Sequence, residues 1–302
     1  MRSVWMKIEF FTDFGIRFAC IGCCKGSDFH FMTKDIIQKH RNEAIGYIAS
    51  SRLRDAFRIL RIMTPAQAWR IISEIDRAEE AYALMLRYTA DGAADPQRNE
   101  VYAGIVSSMY SLLDRIVREA TEADSPMLYF NVVRYERMQL ETLSQLLSAY
   151  RKQTDNTSLF NMAMSGGSAR KEKDQAEKEI AERRIFNKVW TEYPLDTDSV
   201  DALNSVFADD SLPSYFKEFL VSALLLGGLE YYEETRLMIL LEIYSSARSV
   251  LALKALCAAV LIMYRYRMRP VSARLSSRIA TLRDTCHWER DLKAVFLQLI
   301  RT

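Results

Sequence analysis

Glycine and proline are scarce in this sequence, at 10 and 6 of 302 residues, against about 7% and 5% in ordinary proteins. Folds rich in β-structure need both residues at their turns, so the shortage points to helix before any periodicity is read. Net charge is nearly absent too: 41 Lys+Arg against 39 Asp+Glu leaves +2, which globally favours neither a polyanion binder nor an acidic tail. The five cysteines make no evenly spaced disulfide framework, because Cys20, Cys23 and Cys24 crowd together while Cys257 and Cys286 stand alone. A reducing, cytoplasmic setting is expected. Long apolar runs are missing as well. Glu9, Asp13 and Arg17 interrupt the opening stretch where a secretory signal would lie, and Val250–Tyr264 contains Lys254 and falls short of the ~20 residues a membrane span requires. What the sequence has is 49% hydrophobic residues, enough to fill a sizeable core.

Those residues recur at helical spacing. Residues 1–31 form the exception: they hold six of the 14 Phe and three of the five Cys with no sustained period. The segment reads as an upstream, non-native extension or a loosely ordered arm, with a regular helical pattern opening at Met32-Thr33-Lys34-Asp35. From Thr33 a short helix, a tight turn at Ser50-Ser51-Arg52 and a second helix to about Met63 carry Ile37, Ala44, Ile48, Leu53, Ala56, Phe57 and Leu60. This unit resembles a tetratricopeptide-type helix pair, in which small residues let two helices approach closely.

Three start signals follow at near-constant spacing: Thr64-Pro65, Asp95-Pro96 and Ser125-Pro126. Each joins a good N-cap to proline at the first helical position, and Thr64 with Gln67 spells a capping box. Behind them run apolar stripes through Ile71, Ile75, Ala78 and Tyr82, through Ile105, Met109, Leu112 and Ile116, and through Phe130, Val133, Leu140, Leu143, Leu147 and Tyr150, the last interrupted by Arg137. Three long helices are predicted, antiparallel because their connections are short. With the first pair they make a tetratricopeptide-like domain over 33–153. The polar stretch 154–170, containing Ser165-Gly166-Gly167-Ser168, reads as a linker. A charge-dense helix over Arg170–Arg184 follows, with Asp174/Lys178 and Glu179/Arg183 one turn apart.

Over 171–302 the stripes return at Phe216, Leu220 and Leu224, at Leu237, Leu240 and Leu241, at Leu253, Cys257 and Val260, at Leu275 and Leu282, and at Leu292, Val295 and Leu299. The starts of alternate helices near Pro213, Ser249 and Glu289 give a spacing that resembles HEAT-type or armadillo-type repeats. The predicted fold is therefore all-α: antiparallel helix pairs stacked as an α-solenoid or irregular helical array, with no substantial β-sheet. Apolar positions still recur at Leu299-Ile300, so an open end is expected, belonging to a longer array or docking elsewhere.

Recognisable chemistry is sparse. Cys20-x-x-Cys23-Cys24 has the spacing of half a zinc site, and His30 and His40 could be imagined as completing it, but four ligands in a known spacing are lacking. Cys286-His287 are adjacent on one chain segment and so do not face each other as a thiol and its base. Gly166-Gly167 and Gly227-Gly228 fit no phosphate-cradling loop. No catalytic, cofactor-binding or metal-ligating residue is assigned, no cofactor is expected, and the chain is read as not an enzyme.

One feature rises above background. From Glu192 to Glu242 eleven acids face two bases, whereas from Arg248 to Arg301 eleven bases face three acids. The densest basic part, Tyr264-Arg265-Tyr266-Arg267-Met268-Arg269 with Arg274 and Arg278, is a candidate interaction surface. It is compatible with a helix C-terminus paired to the acidic repeat beside it, with an acidic protein partner, or with nucleic acid, where Arg meets phosphate and rings stack on bases. The preferred expectation is a non-enzymatic scaffold for protein–protein interaction, its partner acidic or bipolar. The alternatives are a nucleic-acid-binding helical module using residues 265–278, and an enzyme whose pocket the sequence does not reveal.

Overall fold

The computed structural model describes residues 34–92, 95–122, 128–163, 168–246 and 250–301. The expected N-terminal extension, 1–31, and the start signal Ser125-Pro126 lie outside them. Among the described residues every regular element is an α-helix, thirteen in all, and there is no strand. The first two, α1 (Lys34–Ala49) and α2 (Leu53–Met63), form the expected opening pair. Ser51 makes the tight turn between them at φ +60°, and Ala44 and Ala56 are fully buried where small side chains were expected.

Two long rods follow, α3 (Trp69–Ala90) and α4 (Arg98–Glu122), about 33 and 37 Å long at ~1.5 Å per residue. Their starts depart from the expectation. Thr64 does not cap α3: its hydroxyl donates back to the Leu60 carbonyl at 2.7 Å and closes α2, the local alternative that competes with capping. Ala68 then occupies the N-cap position. Asp95 instead accepts from the Gln97 N–H at 2.8 Å, three positions ahead of the first helical residue, Arg98.

The third predicted rod is two helices, α5 (Leu128–Glu136) and α6 (Leu143–Ala163). Arg137 turns out of the pattern to pair with Glu122 at the end of α4, and Leu140, predicted for the apolar stripe, is 97% exposed. A capping box restarts the helix: the Thr142 N–H donates to Gln145 Oε1 at 3.0 Å and the Gln145 N–H to Thr142 Oγ1 at 3.3 Å. It satisfies two donors that would otherwise lack partners.

The stretch read as a linker, 154–170, is helical on both sides of residues 164–167, because α6 runs to Ala163 and α7 (Ser168–Thr191) begins at Ser168. These helices pack on each other, and residues 34–302 gather into one compact unit. Tertiary packing supplies the stability that local composition withholds. Along the charged part of α7 Lys173 pairs with Glu177 at 3.9 Å and Arg184 pairs with Glu141, while Lys178 lies 5.5 Å from the ring centre of Tyr215.

The chain continues through α8 (Thr197–Ala208), α9 (Ser214–Glu230), α10 (Glu234–Ser246), α11 (Val250–Arg265), α12 (Ala273–Thr285) and α13 (Trp288–Arg301). The helices from α6 onward stack in two layers, with α7, α9, α11 and α13 side by side in one and α6, α8, α10 and α12 in the other. Much of the predicted stripes meets between them, from Phe216 and Leu220 through Leu240 to Val260, and on to Leu275, Leu282 and Val295, while Leu253, predicted for the α11 stripe, is 42% exposed. α11 is part of this core, and no described helix is long and apolar enough to cross a membrane.

Gly227-Gly228 lies inside α9. A Cβ on Gly227 would stand 2.5 Å from Arg236 Nη1 and 2.7 Å from the Trp190 carbonyl oxygen, and one on Gly228 would strike Ile262. The pair therefore lets α9 touch α7 on one side and α11 on the other. Arg236, only 1% exposed, fills the gap. Its Nε donates to Glu233 Oε2 at 2.8 Å, its Nη1 to the Val189 carbonyl at 2.8 Å and its Nη2 to the Glu192 carbonyl. Glu233 Oε1 accepts from the Leu195 N–H at 2.7 Å. A buried ion pair thus closes the C-terminal end of α7, where carbonyls have no partner within the helix.

Candidate functional site

The five arginines predicted as one surface take different places. Arg265, Arg267 and Arg274 are exposed, whereas Arg269 and Arg278 turn inward. Arg278 pairs with Glu242 at 2.5 Å and donates to the Ser245 hydroxyl at 2.8 Å, and Lys254 pairs with Glu218 at 3.5 Å. In this way the basic end neutralises part of the acidic stretch beside it. Arg267 lies over the Tyr264 ring, 4.7 Å from its centre.

Arg269 goes to a partner in the other half of the chain. Tyr110, Asp114 and Arg118 recur every four residues on α4 and so share one face. The turn after α11 meets that face: Arg269 forms an ion pair with the buried Asp114, and the Tyr110 hydroxyl donates to the Met268 carbonyl at 2.9 Å. Three rings enclose the Arg269 guanidinium, Tyr110 at 5.0 Å, Tyr232 at 4.7 Å and Tyr266 at 5.0 Å. One turn along, Arg118 lies 4.9 Å from the Tyr231 ring centre and 5.5 Å from that of Tyr193. Adjacent tyrosines at the end of α9 thus cover two different arginines, and cation–π contact ties the halves together.

Burial sets the electrostatics here. It pushes the Asp114 carboxyl above the usual carboxylate range despite Arg269, whose charge and hydrogen bond act the other way. It likewise raises the hydroxyls of Tyr110, Tyr232 and Tyr266, with Arg269 opposing in each case. Arg41 of α1 also stands close enough to Asp114 for the two charges to act on each other.

A second feature lies on another face of α4. A groove of about 500 Å³ runs between α3 and α4, and small residues line it: Ala78 and Ala81 on one side, Gly104, Ser107, Ser108 and Ser111 on the other. At one end Arg115 donates to Glu74 at 2.6 Å. Towards the hairpin tip the same stripes continue into Leu84, Tyr88 and Val101, which are 48%, 52% and 41% exposed. Among the described residues from 79 to 104 no side chain is buried; at its base this arm meets α2, where Glu79 pairs with Arg61 at 2.5 Å and the Tyr82 ring lies 6.3 Å from that of Phe57.

The other predicted chemistry does not converge. Cys20, Cys23, Cys24 and His30 lie outside the described residues, and His40 sits 3.5 Å from Glu43 on its own helix. Among the described residues no three His, Cys, Asp or Glu side chains could hold a metal ion together. The Cys286 sulfur is 3.7 Å from the Thr285 hydroxyl, while His287 is exposed. No family model matches the chain, nor does any curated protein or solved structure.

Proposed function

We propose that the chain is a non-enzymatic helical scaffold and that its α3–α4 arm receives an amphipathic helix from a protein partner. The observation that carries this reading is the groove with a floor of small side chains and an apolar rim at Leu84, Tyr88 and Val101. A small-residue floor lets a third backbone approach. Burying each half-exposed apolar side chain then contributes about 1 kcal/mol, and a helix laid in a groove is an established mode of peptide recognition. The nucleic-acid reading draws less support, since two of its five arginines are engaged within the fold.

Photo-crosslinking in cells tests the proposal. A crosslinking residue placed at Tyr88 or at Val101 is expected to trap the same partner, and one at Arg58, exposed on α2, to trap none. Leu84→Asp combined with Tyr88→Asp should reduce that product at least about tenfold, the equivalent of ~1.4 kcal/mol. The melting temperature should hardly move, because exposed positions contribute little to stability. Equal capture at Arg58, capture of only a second copy of this chain, or capture insensitive to the aspartates would overturn it.

A further inference from the structure

α13 turns one face to the core and leaves a differently built face open. Leu292, Val295 and Phe296 pack into the shared core. Arg290, Lys293, Ala294 and Leu297 recur at steps of three and four and so share another side of the helix, where all four are exposed, Leu297 to 57%. Together with Arg283, near the end of α12, they line a hollow of about 680 Å³, within the roughly 300–1,000 Å³ of clefts that hold ligands. Arg278, also on α12, is held by Glu242, whereas among the described residues Arg283, Arg290 and Lys293 make no ion pair. We propose that this hollow docks a short acidic segment of a partner protein, one that carries an apolar side chain beside its carboxylates.

The lining selects this occupant. Guanidinium groups grip carboxylates through paired N–H donors, and a lysine adds a compact point charge. Asp284 and Glu289 also lie in the wall, where they interrupt the cations. Such a wall suits a ligand whose few carboxylates are separated by uncharged residues. It opposes the evenly spaced phosphates of a nucleic acid, whose binding grows with each phosphate that is neutralised. The tryptophan of the wall offers no platform for base stacking either: Trp288 is 7% exposed, and its ring meets that of Tyr244 edge-on at 5.8 Å. Ala294 and Leu297 instead supply an apolar seat, which an aliphatic side chain of the ligand would cover. The hollow shares no residue with the groove between α3 and α4, so it stands whether or not the arm binds a helix.

Fluorescence anisotropy of the full chain with a labelled peptide of repeated Glu-Glu-Leu-Asp units decides the matter. At low salt a dissociation constant of about 10–100 µM is expected, weakening several-fold at high salt as exposed charges are screened. Serine in place of each leucine of the peptide should weaken binding about fivefold, through loss of the apolar contact. Arg290→Glu combined with Lys293→Glu should weaken it at least about tenfold. Arg54→Glu combined with Lys152→Glu, at exposed positions on α2 and α6, changes the net charge equally and should leave binding as in the parent. Both double variants should keep the parental melting temperature, since all four side chains are exposed. No binding up to about 1 mM peptide, equal affinity for the serine peptide, equal loss in the two double variants, or tighter binding of a single-stranded oligonucleotide of the same charge would overturn the proposal.

Discussion

Arg236→Ala is expected to destabilise the chain by about 3–5 kcal/mol, the usual consequence of stripping one partner from a buried ion pair. The Glu233 carboxylate would remain buried without its cation, and the Val189 and Glu192 carbonyls would lose their donor at the end of α7. Urea unfolding followed by circular dichroism measures the loss. Replacing both partners, Arg236→Met with Glu233→Leu, should recover a large part of it, because no unpaired charge is then left. A double variant as unstable as Arg236→Ala would show that the carbonyl contacts matter more than the charges. Gly227→Ala reports on the same place. Alanine favours helix by about 1 kcal/mol over glycine, yet its Cβ would meet the Trp190 backbone oxygen at 2.7 Å. A net loss of about 2 kcal/mol is expected from such overpacking. Gly228→Ala should cost less, since the obstructing atom is the end of the Ile262 side chain, which can rotate.

Arg269→Ala is the second large effect, about 3 kcal/mol at neutral pH, and its pH dependence identifies the cause. The variant empties the space between Tyr110, Tyr232 and Tyr266 and leaves Asp114 without its hydrogen-bonded cation. Arg41 and Arg265 continue to act on that carboxyl, with the Tyr193 and Tyr266 hydroxyls nearby. Its pKa, already raised by burial, should climb further once the opposing influence of Arg269 is gone. A carboxyl raised in the folded state binds its proton before the unfolded chain does. Its stabilising contribution is complete below the unfolded-state pKa and is lost as pH rises through the folded-state one. The deficit relative to the parent should therefore be largest at neutral pH and shrink as acid approaches the carboxylate range. Asp114→Asn in the Arg269→Ala background should recover stability at neutral pH. A deficit that is constant with pH would assign the loss to the emptied cage instead.

The helices could be read from the sequence because their signal is local and repeated. A stripe such as Ile105, Met109, Leu112 and Ile116 needs only a window of a dozen residues to be seen, and all four side chains are buried in the structure. Boundaries were harder. Thr64-Pro65 carries both marks of a helix start, but the Thr64 hydroxyl found the Leu60 carbonyl first. Thr142-x-x-Gln145, a capping box shortly after Arg137, marks the true start of α6. The joint between the halves was out of reach for another reason. The four-residue spacing of Tyr110, Asp114 and Arg118 is visible in the sequence, but Asp114 meets Arg269 across 155 positions. No local pattern names such a partner. The basic run 265–278 was found as a run, and its division into inward and outward arginines depended on which neighbour each one met.

α4 belongs to both features, with its first turns in the arm and its last turns held among the tyrosines. A stiff rod converts a small tilt into a large sweep: with about 25 Å between Asp114 and the arm's tip, at ~1.5 Å per residue, a 10° rotation of the whole rod displaces the tip by about 4 Å. The aim of the arm then depends on how Ile105, Val106 and Met109 are packed and on how tightly a few rings grip two guanidinium groups far from where anything would be grasped. Loosening that grip would leave the groove's lining intact and point it elsewhere.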